Sequence, residues 1–182
     1  MALMDAARSF LLIVDVQERL MPAVHGNEQV VANVARLLGV ARELGVPVRA
    51  SEQYPKGLGR LVAPLREHIP NEAISEKVHF SYAEAPACQA VLAQLEQPQV
   101  IIVGVEAHVC VLQSAIGLQQ GGRDVFVVAD AVGSRNPRDA QLALERLRAE
   151  GVSVVSLEMV VFEWLQQAGT AEFKRISRQY LR

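Results

Sequence analysis

The chain has 182 residues, a net charge of −2 at pH 7 and an ordinary globular balance of 51% hydrophobic and 21% charged residues. This length predicts one domain, residues 1–182, that buries roughly 70% of its unfolded surface. The near-neutral charge argues against nucleic acid as a partner. The two cysteines, Cys88 and Cys110, form no disulfide framework and favour a reducing, cytoplasmic location. The first apolar run, Phe10–Val14, is too short for a signal sequence or a membrane span, so no membrane partner is expected.

Short apolar runs alternate with longer amphipathic stretches along the chain. The apolar runs predict strands over Phe10–Val14, Val46–Ala50, Ala73–Phe80, Val100–Val103, Asp124–Ala129 and Val152–Ser156. The amphipathic stretches predict helices over Asn27–Leu44, Pro86–Glu96, His108–Gln120 and Pro137–Glu150, with one or two more in Leu157–Arg182. The segment Ser51–Gly59 contains proline and glycines and predicts a loop. This alternation favours an α/β fold: a three-layer α/β/α sandwich with a mostly parallel, roughly six-stranded, Rossmann-like sheet.

The residues that follow the predicted strands are the candidates for chemistry, because ligands of such sheets bind beyond the carboxyl ends of the strands. These residues are Asp15, Ser51, Glu52, Lys77, the segment Gly104–Cys110, and Asp130. A carboxylate, an ammonium and a thiol would then share one edge of the sheet. Cys110 lies at the start of a predicted helix, where unpaired backbone N–H groups and the helix dipole favour a thiolate.

Each candidate also has a structural interpretation. Asp15 is either a helix cap or turn residue, or a partly desolvated general base. Lys77 is either on a solvated strand face or a cation that holds Asp15 and favours the thiolate of Cys110. His108 does not face Cys110 across a first helical turn, which favours a structural or pocket-wall role. The chain has neither His-x-x-x-His nor Gly-x-Gly-x-x-Gly spacing, so neither a zinc site nor a nicotinamide cofactor is expected.

The three reactive residues in their segments resemble a known family. Asp15 within Leu11–Gln17, Lys77 within Ser75–Lys77 and Cys110 within Gly104–Cys110 resemble the isochorismatase-like cysteine hydrolases. The resemblance extends from about Phe10 to Arg135 and more weakly to the C-terminus. The segments Ser51–Gly59 and Val127–Arg135 are similar to the subgroup called isochorismatase domain-containing proteins.

The resemblance implies a hydrolase of small amide, ureido or related C–N bonds that needs no cofactor. Cys110 would be the nucleophile and form a thioester, Asp15 would move the protons, and Lys77 would orient Asp15 and stabilise negative charge. The family also implies a cis peptide at Val105–Glu106, whose bend would aim the backbone N–H groups of Glu106 and Cys110 at an oxyanion. A small-molecule substrate and a symmetric homo-oligomer are further implications.

Two departures from the family narrow the expected activity. Nicotinamidases of this family carry an Asp-x-His metal site in the loop after the second strand, and here Ser51–Lys56 has neither residue, so no metal is expected. Isochorismatases proper lack the nucleophilic cysteine, so Cys110 favours acyl transfer over vinyl ether cleavage.

The substrate contacts and two other classes of function stay open. Gln53, Tyr54, Arg60 and His108 are candidate substrate contacts, although the loop that carries the first three is also a candidate interface. The alternatives to an enzyme are a catalytically silent oligomeric scaffold and a redox-sensing thiol protein.

Overall fold

The computed structural model of the chain, which describes residues 3–181, has a parallel sheet of six strands in the order β3-β2-β1-β4-β5-β6. The strands are β1 (Ser9–Val14), β2 (Val48–Gln53), β3 (Ile74–Lys77), β4 (Gln99–Val105), β5 (Asp124–Gly133) and β6 (Ser153–Val155). The strand order reverses between β1 and β4, and such a reversal opens a crevice at the carboxyl ends of the strands.

Helices cover both faces of this sheet. They are α1 (Asn27–Glu43), α2 (Pro55–Leu58), α3 (Ala63–Arg66), α4 (Pro86–Leu92), α5 (Leu112–Gln120), α6 (Pro137–Ala149), α7 (Leu157–Leu165) and α8 (Ala171–Tyr180). The apolar core on one face joins α1, α7 and α8 to the sheet, and the core on the other face joins α4, α5 and α6. Every residue of β1 is buried, as expected for a strand covered on both sides. The predicted three-layer α/β fold is confirmed.

The carboxyl ends of β2 and β3 differ from the sequence prediction near the crevice. The polar residues Ser51–Gln53 belong to β2 and not to a loop, because their side chains find buried partners in neighbouring segments. Strand β3 ends at Lys77 and not at Phe80, because the chain turns there and directs the carbonyls of His79 and Phe80 back to the Lys77 ammonium.

Asp130 is placed differently from its prediction. Strand β5 continues to Gly133 with a register shift against β4, so Asp130 lies within the strand and not after it. Its exposed carboxylate accepts the Leu157 N–H at 2.8 Å, at the start of α7. The prediction that Asp130 lies with the other candidate residues at the carboxyl edge of the sheet is therefore wrong. The bulge in β5 places Asp130 where its carboxylate caps the start of α7.

The C-terminal segment forms two helices, and the predicted end at Arg182 lies outside the described residues. Trp164 on α7 is buried, and its indole N–H donates to Ser9 Oγ at 3.2 Å, at the first residue of β1. The last turn of α7 thus lies at the amino end of β1, away from the crevice. Within residues 3–181, no helix combines the length and the apolar character needed to cross a membrane.

Gly104 allows β4 to approach the end of β1 closely. Its φ is +115°, and a Cβ built there would lie 2.1 Å from the Val14 carbonyl oxygen. Because Asp15 follows Val14 directly, a side chain at position 104 would displace the residue at the floor of the crevice.

We expect Gly104→Ala to reduce the free energy of unfolding by more than about 3 kcal/mol, because it adds a clash to the cost of positive φ. Gly122 is the matched control, since its φ is +88° and nothing lies within 4 Å of its Cβ position. Gly122→Ala should cost only about 1 to 2 kcal/mol. Urea unfolding of both variants measures the difference, and equal losses would contradict a close approach at Gly104.

Candidate active site

A buried ion pair joins the ends of β1 and β3. Lys77 Nζ lies 2.8 Å from Asp15 Oδ2, and both side chains are fully buried. The other carboxylate oxygen of Asp15 accepts the Ser51 hydroxyl at 2.6 Å. Asp15 adopts a left-handed backbone conformation with φ of +51°, which aspartate tolerates better than most residues. Three adjacent strands therefore hold one carboxylate in a fixed orientation.

The Lys77 ammonium has more acceptors than protons. Besides Asp15, it donates to Gln53 Oε1 at 2.7 Å, to the Phe80 carbonyl at 3.1 Å and to the His79 carbonyl at 3.3 Å. An ammonium has three N–H donors and no acceptor, so these partners use its hydrogen-bonding capacity fully. Lys77 therefore acts on its surroundings as a fixed positive charge.

Cys110 lies against this pair. It sits in a π-helical turn, Ala107–Val111, that connects β4 to α5, and only 6% of the residue is exposed. Its thiol is close enough to the Asp15 carboxylate and the Lys77 ammonium for both charges to act on it. The structure thus brings together the three residues that the sequence singles out for chemistry.

Burial raises the pKa of the Cys110 thiol well above its usual range, and the Asp15 carboxylate raises it further while Lys77 opposes the shift. The resting thiol is therefore protonated at neutral pH. The expectation of a thiolate favoured by a helix start is not met, because desolvation and the adjacent carboxylate outweigh the helix and the ammonium. Any reaction in which this sulfur attacks would need a base to remove the proton.

The turn before Cys110 is tied to the next loop. The Val105–Glu106 peptide bond is cis in the structure, at the position that the resemblance implies. The buried Glu106 carboxylate accepts the backbone N–H of Arg135 at 2.9 Å and its side-chain Nε–H at 3.0 Å. This ion pair fixes the turn that carries the backbone N–H groups of Glu106 and Cys110.

The candidate substrate contacts occupy different environments. Gln53 is buried, and its amide is engaged at both ends, by Lys77 and by the Val78 carbonyl. Tyr54 is exposed and lines a groove of about 560 Å³ whose wall also includes Lys77. Arg60 is exposed, and His108 is half-buried with Nδ1 2.9 Å from Ser134 Oγ. The structure gives Gln53 protein partners and leaves Tyr54 and Arg60 facing outward.

The sequence analysis did not identify Gln17, nor the hydrogen bond that Ser51 donates to Asp15. Gln17 is fully buried and bonds the backbone of Gln53 and the carbonyl of Gly59. The only sequence signal for Gln17 is a polar residue two positions after Asp15, and nothing local reveals that its partners lie 36 or more residues away.

Cys88 is the other thiol near the site. It is fully buried on α4 and lies beside the hydroxyls of Ser75 and Tyr82. Burial raises its pKa to about 11, although the nearby Lys77 charge opposes this shift. Among residues 3–181, no group of three or more His, Cys, Asp and Glu side chains is arranged to hold a metal ion.

The chain thus combines a parallel α/β fold with a thiol that lies near a buried carboxylate–ammonium pair at the edge of the sheet. The model of the isochorismatase domain matches residues 9–159. The chain therefore belongs to the isochorismatase family and has the fold of its hydrolases, which confirms the resemblance read from the sequence.

Individual relatives match nearly the whole chain. Isochorismatase domain-containing protein 2 of Danio rerio is 38% identical over 172 residues, which are 93% of this chain and 85% of that protein. The MAR1 ribonuclease of Caenorhabditis elegans superposes with a TM-score of 0.91 at 32% identity, covering 100% of this chain and 93% of that one. The Escherichia coli YcaC product, described as an octameric hydrolase of unknown specificity, gives a TM-score of 0.92 at 23% identity over 100% and 92% of the two chains.

The charges around Cys110 predict opposite effects of two substitutions on its alkylation by iodoacetamide at pH 7. Asp15→Asn should accelerate alkylation about tenfold, because it removes the carboxylate that disfavours the thiolate and leaves the ammonium. Lys77→Met should slow alkylation by a similar factor, because it leaves the carboxylate alone beside the sulfur. Peptide mass spectrometry measures the rate at each cysteine.

Cys88 is the internal control for this measurement, since it is fully buried and should react slowly in every folded variant. Changes of the same sign in the two variants would show that their effect is unfolding and not charge.

Proposed function

We propose that the protein is a cysteine hydrolase of small amides or related C–N compounds, with Asp15, Lys77 and Cys110 as its catalytic residues. The observation that carries this proposal is the placement of the Cys110 thiol against the buried Asp15–Lys77 pair. A buried ion pair often contributes less to stability than apolar residues of the same volume would. A role in chemistry gives a reason for its presence that packing does not.

In the first half of the proposed reaction, the Cys110 sulfur bonds to the substrate carbonyl carbon while the thiol proton passes to the Asp15 carboxylate. The tetrahedral intermediate then collapses, the C–N bond breaks, and Asp15 returns the proton to the departing nitrogen. The products of this half are a Cys110 thioester and a free amine or ammonia.

In the second half, water attacks the thioester carbonyl and Asp15 takes a proton from it. The C–S bond breaks, the carboxylic acid leaves, and the sulfur regains its proton. Throughout both halves the Lys77 charge keeps Asp15 in place and lowers the cost of negative charge on sulfur or oxygen. These steps use only water and the protein's own residues.

The backbone N–H groups of Glu106 and Cys110 are the proposed donors to the oxyanion. Both belong to the turn that the Glu106–Arg135 ion pair ties down. Loss of one such donor typically costs about 10²- to 10³-fold in rate, so a fixed turn matters to this reaction.

Two other classes of function remain as rivals. A silent scaffold could use the same fold, but it has no use for a carboxylate, an ammonium and a thiol buried together. A redox-sensing thiol is usually accessible and has a low pKa, whereas Cys110 is buried with a raised pKa. The geometry favours the hydrolase over both.

RNA is a second candidate substrate, because one structural relative is named a ribonuclease. The net charge of −2 gives this chain little attraction for a phosphate backbone. We therefore propose a small molecule and retain RNA as an outcome of the test.

The test is hydrolysis of a library of small primary amides and ureido compounds by wild type and by Cys110→Ala. We expect Cys110→Ala to lose at least about 10³-fold of the activity, because the nucleophile is gone. Under single turnover, mass spectrometry should find the substrate's acyl group on the Cys110 peptide.

Cys88→Ala, which removes the other thiol, should retain activity. The thioester route would be refuted if wild type hydrolysed the substrate without an acyl adduct on Cys110 and Cys110→Ala kept the full rate. If wild type cleaves RNA and Cys110→Ala does not, RNA replaces a small amide as the proposed substrate.

We also propose that the protein assembles as a homo-oligomer. The exposed apolar side chains Tyr54, Val78 and Phe80 follow the carboxyl ends of the neighbouring strands β2 and β3, and one structural relative is described as octameric. Light scattering should give a mass that is a multiple of 19.9 kDa, and a single species at the monomer mass would overturn this proposal. The cytoplasmic location stays a prediction.

A further inference from the structure

We propose that Gln53 is a positioning residue that sets the place of the Lys77 ammonium beside Asp15 and Cys110, and that Gln17 holds Gln53 for this task. The inference rests on the proposed function and goes beyond it, since it assigns roles to two residues outside the catalytic set. It also reinterprets Gln53, which the sequence offered as a substrate contact.

The first step of the argument is the order of the bonds to Lys77 Nζ. Its two shortest contacts are Gln53 Oε1 at 2.7 Å and Asp15 Oδ2 at 2.8 Å, and the two backbone carbonyls lie farther away. A charged hydrogen bond is stronger than a neutral one, so both short contacts determine where the ammonium sits. Gln53 is the neutral side-chain member of this pair of acceptors.

The second step is the orientation of the Gln53 amide. Its Nε2–H donates to the Val78 carbonyl at 2.9 Å, which leaves the oxygen facing Lys77. The reverse orientation would set an N–H against the ammonium and a carbonyl against a carbonyl. Both ends of the amide therefore favour one orientation, and each end already has a protein partner.

The third step is the clasp that Gln17 forms on the backbone of Gln53. Gln17 Oε1 accepts the Gln53 N–H at 2.7 Å, and Gln17 Nε2 donates to the Gln53 carbonyl at 3.0 Å. The same Nε2 also donates to the Gly59 carbonyl at 2.7 Å. Since Gln17 follows Asp15 by two residues, the clasp ties the segment that carries the carboxylate to the residue that holds the ammonium.

The neutrality of position 53 is the final step. Asp15 and Lys77 are the charged groups that act on the Cys110 thiol, and their formal charges cancel. A carboxylate at position 53 would leave this group with a net negative charge. It would compete for the ammonium and disfavour the thiolate, whereas a neutral amide positions the ammonium and leaves its charge available.

The first experiment measures the pH dependence of Cys110 alkylation by iodoacetamide in Gln53→Glu. We expect alkylation to slow about tenfold across the neutral to mildly alkaline range, because a second carboxylate raises the thiol pKa by about one unit. Gln120→Glu makes the same change at an exposed position of α5 and should match wild type. A folded Gln53→Glu protein whose profile superimposes on that of wild type would overturn the proposal.

A second experiment does not require Gln53→Glu to fold. Lysine occurs in this chain at positions Lys56, Lys77 and Lys174, so ¹⁵N-lysine labelling with a Lys77→Met reference assigns the buried ammonium by NMR. In Gln53→Met the proton exchange of the Lys77 ammonium should accelerate about tenfold or more, because a strong acceptor is lost. Gln120→Met should leave it unchanged, and an unchanged Lys77 signal in Gln53→Met would overturn the proposal.

Gln17 is tested by a double-variant cycle on the same ammonium signal. If Gln17 acts through Gln53, then Gln17→Met should accelerate exchange, and the double variant Gln17→Met with Gln53→Met should be no faster than Gln53→Met alone. Additive effects would show that Gln17 acts elsewhere, and would overturn its assigned role.

None of these measurements requires a substrate, so the two proposals fail separately. If wild type hydrolyses no amide but Gln53 still controls the Lys77 signal, the positioning role stands and the hydrolase falls. If wild type hydrolyses amides through Cys110 while the Gln53 variants keep the wild-type signal and profile, the hydrolase stands and the positioning role falls.

Discussion

The buried pair of Asp15 and Lys77 is the constraint on which the arrangement of this protein depends. Removing two charges from water costs several kcal/mol per ion, by order of magnitude, and their attraction offsets this only if the remaining hydrogen bonds are made. Here those bonds come from Ser51, Gln53 and the carbonyls after β3. The ends of three neighbouring strands must therefore meet in register before these hydrogen bonds can offset the cost of burying the two charges. The geometry of the sheet edge follows from that requirement.

The same pair acts, together with burial, on the protonation state of the Cys110 sulfur. In many thiol enzymes a nearby cation produces a standing thiolate, whereas here the cation is already neutralised by a carboxylate whose charge also acts on the thiol. The proton consequently stays on the sulfur, near the carboxylate that we propose as its base. Sulfur and carboxylate exchange one proton during the proposed chemistry, and the net charge of the buried group does not change. A constant charge suits an interior that solvates charge poorly.

The sequence could predict the layers of this fold and the residues of the site, but not the network that supports them. Continuous apolar runs such as Phe10–Val14 have a local pattern typical of a buried parallel strand. The polar end of β2 has no such pattern, because Ser51 and Gln53 are buried only by virtue of Asp15 and Lys77, which are distant in the sequence. The bulge that displaces Asp130 is likewise a property of two paired strands and not of one.

Even the three reactive residues were identified by type and order along the chain more than by any local rule. A strand lysine such as Lys77 is ordinarily solvated, and periodicity alone would have left it so. The protonated state of Cys110 could not be predicted either, because the helix position argues for a thiolate, whereas burial and the Asp15 charge favour the protonated thiol.

The docking of Trp164 onto Ser9 has a spectroscopic consequence. This is the sole tryptophan of the chain, it is 4% exposed, and its partner lies at the amino end of β1 while the reactive residues lie at the carboxyl end. Its fluorescence will therefore report whether the sheet and α7 remain assembled, and it will be nearly blind to changes of charge around Cys110. Trp164 is thus an intrinsic fluorescent probe of folding, separated from Asp15, Lys77 and Cys110 by the length of the central strand β1.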